Sequence, residues 1–187
     1  MDKDLVVRAQ AGDQQAFAEL IITSHPRLFR LAHGILGNPY LAEDATQQTY
    51  LDIWRDLRQL RDPGRFDGWA YRILVRTCYR EAKHTPTWLP DEAIRAAREP
   101  RDTGSIDVVL DREQLERGFE RLSVDQRAVI VLHYLLDMTL EQVADVLDIP
   151  VGTANSRLSR AVAAMRAALE ADARFATPTP LPQEATR

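Results

Sequence analysis

The sequence has almost no cysteine, and this scarcity excludes several kinds of chemistry. Cys78 is the only cysteine among 187 residues, so an internal disulfide and a multi-thiolate zinc site are both excluded. The four histidines, His25, His33, His84 and His133, are scattered without the spacing of metal ligands. No convergent set of polar side chains indicates a catalytic cleft. We therefore expect no metal, no cofactor and no enzymatic activity, and we expect Cys78 to be buried.

Long hydrophobic runs are also missing. No stretch approaches the roughly 18 consecutive apolar residues that a membrane-spanning helix needs, and residues 1–10 are charged and lack the apolar core of a signal peptide. Hydrophobic residues nevertheless make up 45 % of the chain, as in ordinary globular proteins. These features predict a cytoplasmic protein with no membrane partner.

Negative charge predominates overall, with a net charge of -4, but basic residues are concentrated in two segments. Residues 54–83 contain eight basic and four acidic side chains, and residues 151–166 contain three basic side chains and no acidic one. Two local positive patches in an acidic background are typical of a protein that contacts nucleic acid at defined surfaces rather than by general charge attraction.

Apolar periodicity predicts helices along the first 84 residues. Residues 13–36 follow the helical period, with a bend or break expected at Pro26, and Gly37, Asn38 and Pro39 predict a turn. Further helices are expected over residues 40–57 and 67–83, with a loop at residues 62–64 between them. We interpret residues 1–84 as one small helical domain.

Proline-rich, polar sequence separates this domain from a second one. Residues 85–110 predict a flexible linker, with a short helix at residues 91–98, and residues 173–187 predict a disordered tail. Within residues 111–172, a stripe of Leu115, Phe119 and Leu122 predicts the first helix. Two capping boxes, residues 123–126 and 139–142, each predict the start of another helix. The predicted fold is all-α, with two small helical domains joined by a flexible linker, the second being a helix-turn-helix four-helix domain.

The segment from residue 139 to residue 169 has the pattern of a helix-turn-helix. Two helices joined by a short turn need a small residue where they cross, and Ala144 is suitably placed. On the last helix, a core face is predicted that comprises Val151, Ala154, Leu158, Ala161, Val162, Met165 and Leu169. A polar face opposite or beside it, comprising Thr153, Ser156, Arg157 and Arg160, could enter a DNA major groove. The alternative is a plain helical hairpin whose polar face is merely solvated.

The helix over residues 69–83 carries a basic stripe. Arg72, Arg76, Arg80 and Lys83 lie close together on one face beside Trp69, and like charges at this spacing repel, so phosphates are a natural partner. Arg65, Phe66 and Trp69 offer surfaces on which an unpaired base could stack. The alternative is a solvated basic face above aromatic residues that belong to the core.

Two apolar faces distinguish the helix over residues 40–57. One contains Leu41, Ala45, Thr49 and Ile53, and the other contains Tyr50, Trp54 and Leu57. A small domain easily buries only one such face, so the second predicts a protein-docking surface. The alternative is a helix that is buried on most of its sides.

Three motifs carry a resemblance to a known family. The segments AEDATQQTYLDIW (residues 42–54), FDGWAYRI (66–73) and GTANSRLSRA (152–161) occur in the order found in bacterial RNA polymerase sigma factors. The chain resembles their extracytoplasmic-function (ECF) group. Their polymerase-binding helix corresponds to residues 42–54, the entry to their minus-10 helix corresponds to residues 66–73, and their minus-35 recognition helix corresponds to residues 152–161.

The resemblance implies a role for each surface. Polymerase binding falls to Asp44, Gln47, Tyr50, Leu51 and Trp54. Capture of the melted minus-10 strand falls to Arg65, Phe66, Trp69, Arg72, Arg76, Arg80 and Lys83. Reading of the minus-35 duplex falls to Thr153, Asn155, Ser156, Arg157 and Arg160. The family commonly has glycine at the position of Asp148, and we expect Asp148 to adopt the left-handed turn conformation there.

The implied partners are core RNA polymerase, through its clamp and flap regions, and promoter DNA, with no small-molecule substrate. An anti-sigma factor stays open as a further partner, and the two DNA-binding faces could be held against each other or against an inhibitor. Two other classes of protein remain as alternatives at this stage. One is a stand-alone helix-turn-helix regulator whose first domain senses a partner, and the other is a small helical enzyme or adaptor.

Overall fold

The computed structural model describes residues 1–84, 115 and 117–176. Within these residues the regular structure is entirely helical, so the all-α prediction is confirmed. The predicted linker, including its short helix at residues 91–98, lies outside the described residues, as do residues 177–187 of the predicted tail. In the described part of the chain, no helix combines the length and the apolar character that crossing a membrane requires.

The first domain consists of four α-helices: α1 (Lys3–Gln10), α2 (Gln14–Leu36), α3 (Pro39–Asp56) and α4 (Phe66–His84). Each of the first three begins at a side-chain cap, because a carboxylate or amide oxygen accepts a backbone N–H that the helix leaves unpaired. Asp2, Asp13 and Asn38 are these caps. A short 3₁₀ turn, Leu57–Gln59, follows α3, and a second, Pro63–Arg65, overlaps the predicted loop at residues 62–64.

Two features of this domain differ from the predictions. Helix α1 was not anticipated, although Asp2 is a typical helix cap followed by buried Leu5, Val6 and Ala9. Helix α2 continues through Pro26, so the break, one of the two outcomes predicted there, does not occur. Proline there removes one backbone hydrogen bond, but the long apolar face of α2 is packed on both sides of Pro26, and this packing outweighs the lost bond.

The core of the first domain lies where α2, α3 and α4 meet. Its largest fully buried side chains include Leu20, Leu28, Leu31, Ile53 and Leu74. Ala45, Thr49 and Ile53 of α3 are buried, as the predicted inner stripe requires. Burying each large aliphatic side chain contributes about 1.5–3 kcal/mol, so this contact is the main source of stability of the domain.

The second domain contains α5 (Val124–Ile130), α6 (Leu140–Leu147) and α7 (Val151–Ala176). Both predicted capping boxes are formed, Ser123 with Gln126 before α5 and Thr139 with Gln142 before α6. Ahead of α5, residues 117–120 are helical, but the predicted stripe residue Leu115 is 48 % exposed. After α5 the chain continues as a π-helical turn, Val131–Leu135.

The helix-turn-helix has the predicted geometry. Asp148 ends α6 in the left-handed conformation, with φ 56°, and Ala144 is buried near the turn, where its carbonyl accepts a hydrogen bond from the Ile149 amide. Most of the predicted core face of α7 is buried or partly buried, but Val151 is 42 % exposed because the first turn of α7 projects beyond the domain core. Helix α7 also runs to Ala176, four residues past the predicted domain boundary at residue 172.

The two domains pack directly against each other. Helix α2 contacts α5 and the π-helical turn, and α4 contacts α6. The approach of α2 is close, because a Cβ atom placed on Gly34 would lie 2.9 Å from Cγ2 of Val131, which is itself buried. A side chain at Gly34 would therefore require either the Val131 side chain or the contact between the domains to shift.

Cys78 is predicted to be chemically inert in the folded protein. It is fully buried on α4, and burial raises the pKa of its thiol to about 12, so the reactive thiolate is nearly absent at neutral or mildly alkaline pH. At pH 8 we expect a maleimide or disulfide reagent to modify Cys78 at least about 100-fold more slowly in the native chain than in denaturant. Equal rates in both conditions would contradict the buried position.

Candidate nucleic-acid and protein interfaces

Helix α3 presents an exposed patch opposite its buried stripe. Asp44, Gln47, Leu51 and Trp54 are exposed, with Leu51 at 63 % and Trp54 at 50 %; we call these four residues the α3 patch. The Trp54 ring rests edge-on against Phe17 of α2, with ring centroids 4.6 Å apart. This contact fixes the indole while leaving half of its surface open to a partner.

Tyr50 does not belong to this exposed surface, and the prediction that it would be exposed is wrong. It is only 8 % exposed, its hydroxyl lies 3.0 Å from Oγ of Ser24 and it donates to the Ile21 carbonyl at 3.3 Å. Burial raises the pKa of Tyr50 above its ordinary value. The side chain points toward α2, where these polar partners make burial of the hydroxyl favourable.

Helix α4 carries the predicted basic stripe, and the structure pairs three of its arginines with acidic side chains. Arg72 Nη2 lies 2.7 Å from Asp145 Oδ2, and Arg76 Nη2 lies 3.8 Å from Asp148 Oδ2. Arg80 Nη2 lies 3.9 Å from Asp52 Oδ2, and Arg80 Nε lies 3.9 Å from Glu81 Oε1. Carboxylates thus compensate the repulsion among these arginines, a role that was predicted for phosphates. Two of the carboxylates, Asp145 and Asp148, belong to the other domain.

Other members of the predicted minus-10 set differ in exposure. Lys83 and Arg65 are exposed, the side chain of Arg65 at 86 %. Trp69 is partly buried and packs beside Phe66, with ring centroids 6.1 Å apart. Phe66 itself is only 1 % exposed, so the prediction that it offers a surface for stacking a base is wrong. Its ring is the first large core residue of α4 and anchors the start of that helix.

The N-terminal half of α7 keeps most of its predicted polar face open. Asn155, Ser156 and Arg160 are exposed, and Thr153 is partly exposed. Arg160 donates from Nε to the Ser156 carbonyl at 3.1 Å, which orders its stem along the helix. No acidic side chain lies among these residues, so the surface can approach phosphates and base edges.

Arg157 has a different environment, because it is turned toward the domain interface. Its side chain is 26 % exposed, and Nη1 lies 3.4 Å from Asp125 Oδ1. The buried Tyr79 hydroxyl of α4 makes no well-formed hydrogen bond, although it lies close to the Arg157 and Asp125 side chains. Burial, and then the Asp125 carboxylate, raise the pKa of Tyr79. One predicted minus-35 residue therefore lies beside the predicted minus-10 helix.

The acidic residues at this interface were not among the functional residues predicted from the sequence. Asp145 lies in the last turn of α6 and Asp148 is its C-cap, and this last turn has no basic residue. Carboxylates are unfavourable there because the helix dipole is negative at its C-terminus. Acids in such a position were the available signal that a cationic partner lies nearby.

Comparison with known proteins follows the same division of the chain. The family model for sigma-70 region 2 matches residues 20–85, and the model for sigma-70 region 4 matches residues 112–165. The ECF RNA polymerase sigma factor SigW of Bacillus subtilis (strain 168) is 27 % identical over 178 residues, which cover 89 % of this chain and 95 % of that protein. The chain belongs to the ECF group of the sigma-70 family.

A further relative and a solved structure agree with this family membership. SigE of Mycolicibacterium smegmatis (strain ATCC 700084 / mc(2)155), also an ECF sigma factor, is 30 % identical over 158 residues, covering 80 % of this chain and 61 % of that protein. CnrH, solved in complex with the cytosolic domain of CnrY, superimposes with a TM-score of 0.66 at 26 % identity, covering 91 % of this chain and 98 % of CnrH. As a sigma factor, the chain binds core RNA polymerase and promoter DNA and directs transcription initiation.

Proposed function

We propose that this sigma factor is a non-catalytic, cytoplasmic initiation subunit that binds polymerase through the α3 patch and promoter DNA through α4 and α7. One observation carries the proposal. A single chain combines the exposed α3 patch with two basic helix faces on separate domains. A subunit that must hold an enzyme and two DNA elements at once needs these three surfaces, whereas the polymerase itself supplies the active site for RNA synthesis.

The proposed polymerase contact centres on Leu51 and Trp54. Both are large apolar side chains exposed on one side of α3, and Asp44 and Gln47 lie exposed about one to three turns earlier on the same helix. An apolar centre with a polar margin is the common composition of a protein interface. Tyr50 supports the patch from beneath by joining α3 to Ser24 of α2, which is a positioning role rather than a contact.

The proposed DNA contacts divide between the two domains. Arg72, Arg76, Arg80 and Lys83 would follow the backbone of the minus-10 strand, with Arg65 and Trp69 available to stack on an unpaired base. On α7, Thr153, Asn155, Ser156, Arg157 and Arg160 would enter the major groove of the minus-35 duplex. Phe66 is not among the proposed DNA contacts because its ring lies in the core.

We also extend one class of regulatory partner to this chain. CnrH is described in complex with the cytosolic domain of CnrY, and RpoE of Bartonella quintana, at 22 % identity and a TM-score of 0.64, in complex with the anti-sigma factor NepR. An anti-sigma factor for this chain would have to cover at least one of three surfaces: the α3 patch, the basic face of α4 and the polar face of α7. Those surfaces are the ones whose occupation blocks the proposed contacts.

Run-off transcription tests the proposal. Core polymerase from the source organism is incubated with a library of its promoters, with and without the protein. We expect promoter-specific transcripts only when the protein is present, and none from the protein without core polymerase. Duplex binding without any protein-dependent transcript would instead support a stand-alone helix-turn-helix regulator.

A further inference from the structure

The second domain covers part of the basic face of α4. Arg72 and Arg76 each have an acidic partner on α6 or at its end, 2.7 Å and 3.8 Å away. The Nε atom of Arg72 is also buried, and it has no hydrogen-bond partner. The two guanidinium groups that the proposed function assigns to promoter DNA are therefore already occupied in this conformation.

We infer that the free chain is closed by an electrostatic latch, in which Asp145 and Asp148 occupy the places of two DNA phosphates on α4. The inference rests on the proposed role of α4 in DNA binding. Two carboxylates facing two guanidinium groups have the charge that a DNA strand would present there. DNA can then pair fully with Arg72 and Arg76 only when the second domain moves away.

The position of the acids supports a role in the latch rather than in the second domain itself. Both lie at the C-terminal end of α6, where the helix dipole disfavours negative charge. The second domain alone would be as stable or slightly more stable with neutral residues there. The ion pairs with Arg72 and Arg76 offset this unfavourable interaction with the helix dipole.

Two further contacts extend the closed interface on either side of the ion pairs. Gly34 of α2 allows the close approach to Val131, so the apolar surfaces of the two domains meet. On the other side, Tyr79 of α4 lies beside Arg157 and Asp125, which form an ion pair within the second domain. The closed form thus places one residue of the proposed minus-35 surface next to the minus-10 helix.

The latch is expected to be sensitive to salt. Asp145 and Asp148 have side chains that are 76 % and 83 % exposed, so mobile ions screen their ion pairs. The open-to-closed ratio should increase severalfold between about 0.05 M and about 0.5 M NaCl, where the screening length falls from roughly 14 Å to roughly 4 Å. The apolar contact at Gly34 does not weaken under the same change.

The test compares two full-length variants with equal net charge. Asp145→Asn with Asp148→Asn removes both latch carboxylates and keeps their shape, and asparagine tolerates the left-handed conformation at position 148. The control is Glu19→Gln with Glu170→Gln, two exposed acids that form no ion pair between the domains within the described residues. Dyes are attached to cysteines introduced at exposed Arg61 and Ala167. Because Cys78 is buried, it does not compete for the dyes in the native chain.

Energy transfer between the dyes is followed during a salt titration. We expect the acid variant to start the titration with lower energy transfer than the wild type and the control and to change little as salt is added, with an open-to-closed ratio roughly three- to twentyfold higher at low salt. Asp145→Arg should open the chain further, and adding Arg72→Asp should restore energy transfer by reversing the pair. Identical titrations for the acid variant and the control would overturn the latch.

Affinity for a labelled single-stranded oligonucleotide of random sequence provides the second readout. Because binding requires the open form, the acid variant should bind about three- to twentyfold more tightly than the equally charged control. If the acid variant opens but binds no more tightly than the control, the latch stands and the assignment of α4 to DNA binding fails. The two failures are therefore distinguishable.

Discussion

Replacing Trp54 with alanine is expected to weaken binding of the sigma factor to core polymerase by roughly 30- to 1000-fold, or about 2–4 kcal/mol. The indole is half exposed and is held in one orientation by its edge-on contact with Phe17. A large aromatic side chain that is ordered before binding loses little conformational entropy on association, so most of its buried area contributes to affinity. Titration of labelled core polymerase with the purified variant measures the change.

Loss of the Trp54 ring also removes an intramolecular contact, so a second variant separates binding from stability. Leu51→Glu alters a side chain that is 63 % exposed, and we expect it to abolish measurable core binding while leaving the thermal unfolding midpoint nearly unchanged. Tyr40→Ala is the matched control, because Tyr40 is 67 % exposed on the same helix but lies about 21 Å along its axis from Trp54. Wild-type affinity in both Trp54→Ala and Leu51→Glu would refute the proposed contact.

Replacing Arg160 with alanine is expected to weaken binding of the holoenzyme to the minus-35 duplex by about 1–3 kcal/mol, or roughly 5- to 150-fold. Arg160 is exposed in the half of α7 that follows the helix-turn-helix turn, and its hydrogen bond to the Ser156 carbonyl directs it along the polar face. If it contacts a phosphate, the slope of log affinity against log salt should fall by about 0.9. If it contacts a base, the loss should be specific to one position of the duplex.

Arg166→Ala is the control for this experiment. It removes the same charge from the same helix and is likewise exposed, but six residues further along α7 it faces another direction. We expect less than about a twofold effect from it. Similar losses for Arg160→Ala and Arg166→Ala would mean that α7 binds DNA by general charge attraction rather than through its N-terminal face.

Local structure could be predicted from the sequence to a large extent. The two capping boxes, the left-handed Asp148 and the start of α3 after Asn38 all appear where they were expected. These features depend on contacts within four residues of the chain, so the local sequence contains the information that specifies them. Helix α1 was missed because its eight residues are too few to display several helical periods, although its cap was recognisable.

The candidate sites could be predicted only in part, and the errors share one cause. Periodicity placed Tyr50, Trp54 and Leu57 on one apolar face of α3, but it could not show that neighbouring elements bury Tyr50 and Leu57 and leave Trp54 half exposed. Tyr50 therefore lies against α2 and Phe66 lies in the core, although both were assigned to binding surfaces. Leu51 and Trp54, on the uncovered side of α3, remain exposed as predicted.

The sequence by itself determined the all-α fold, the bounds of most helices, the basic stripe of α4 and the family, because these follow from short-range patterns and ordered motifs. Only the tertiary structure decided that Asp145 and Asp148 face Arg72 and Arg76. Those pairs join residues more than seventy positions apart, and the contact between the domains includes the close fit of Gly34 against Val131. No periodicity within a single helix contains that information, since it arises from packing between two separately formed domains.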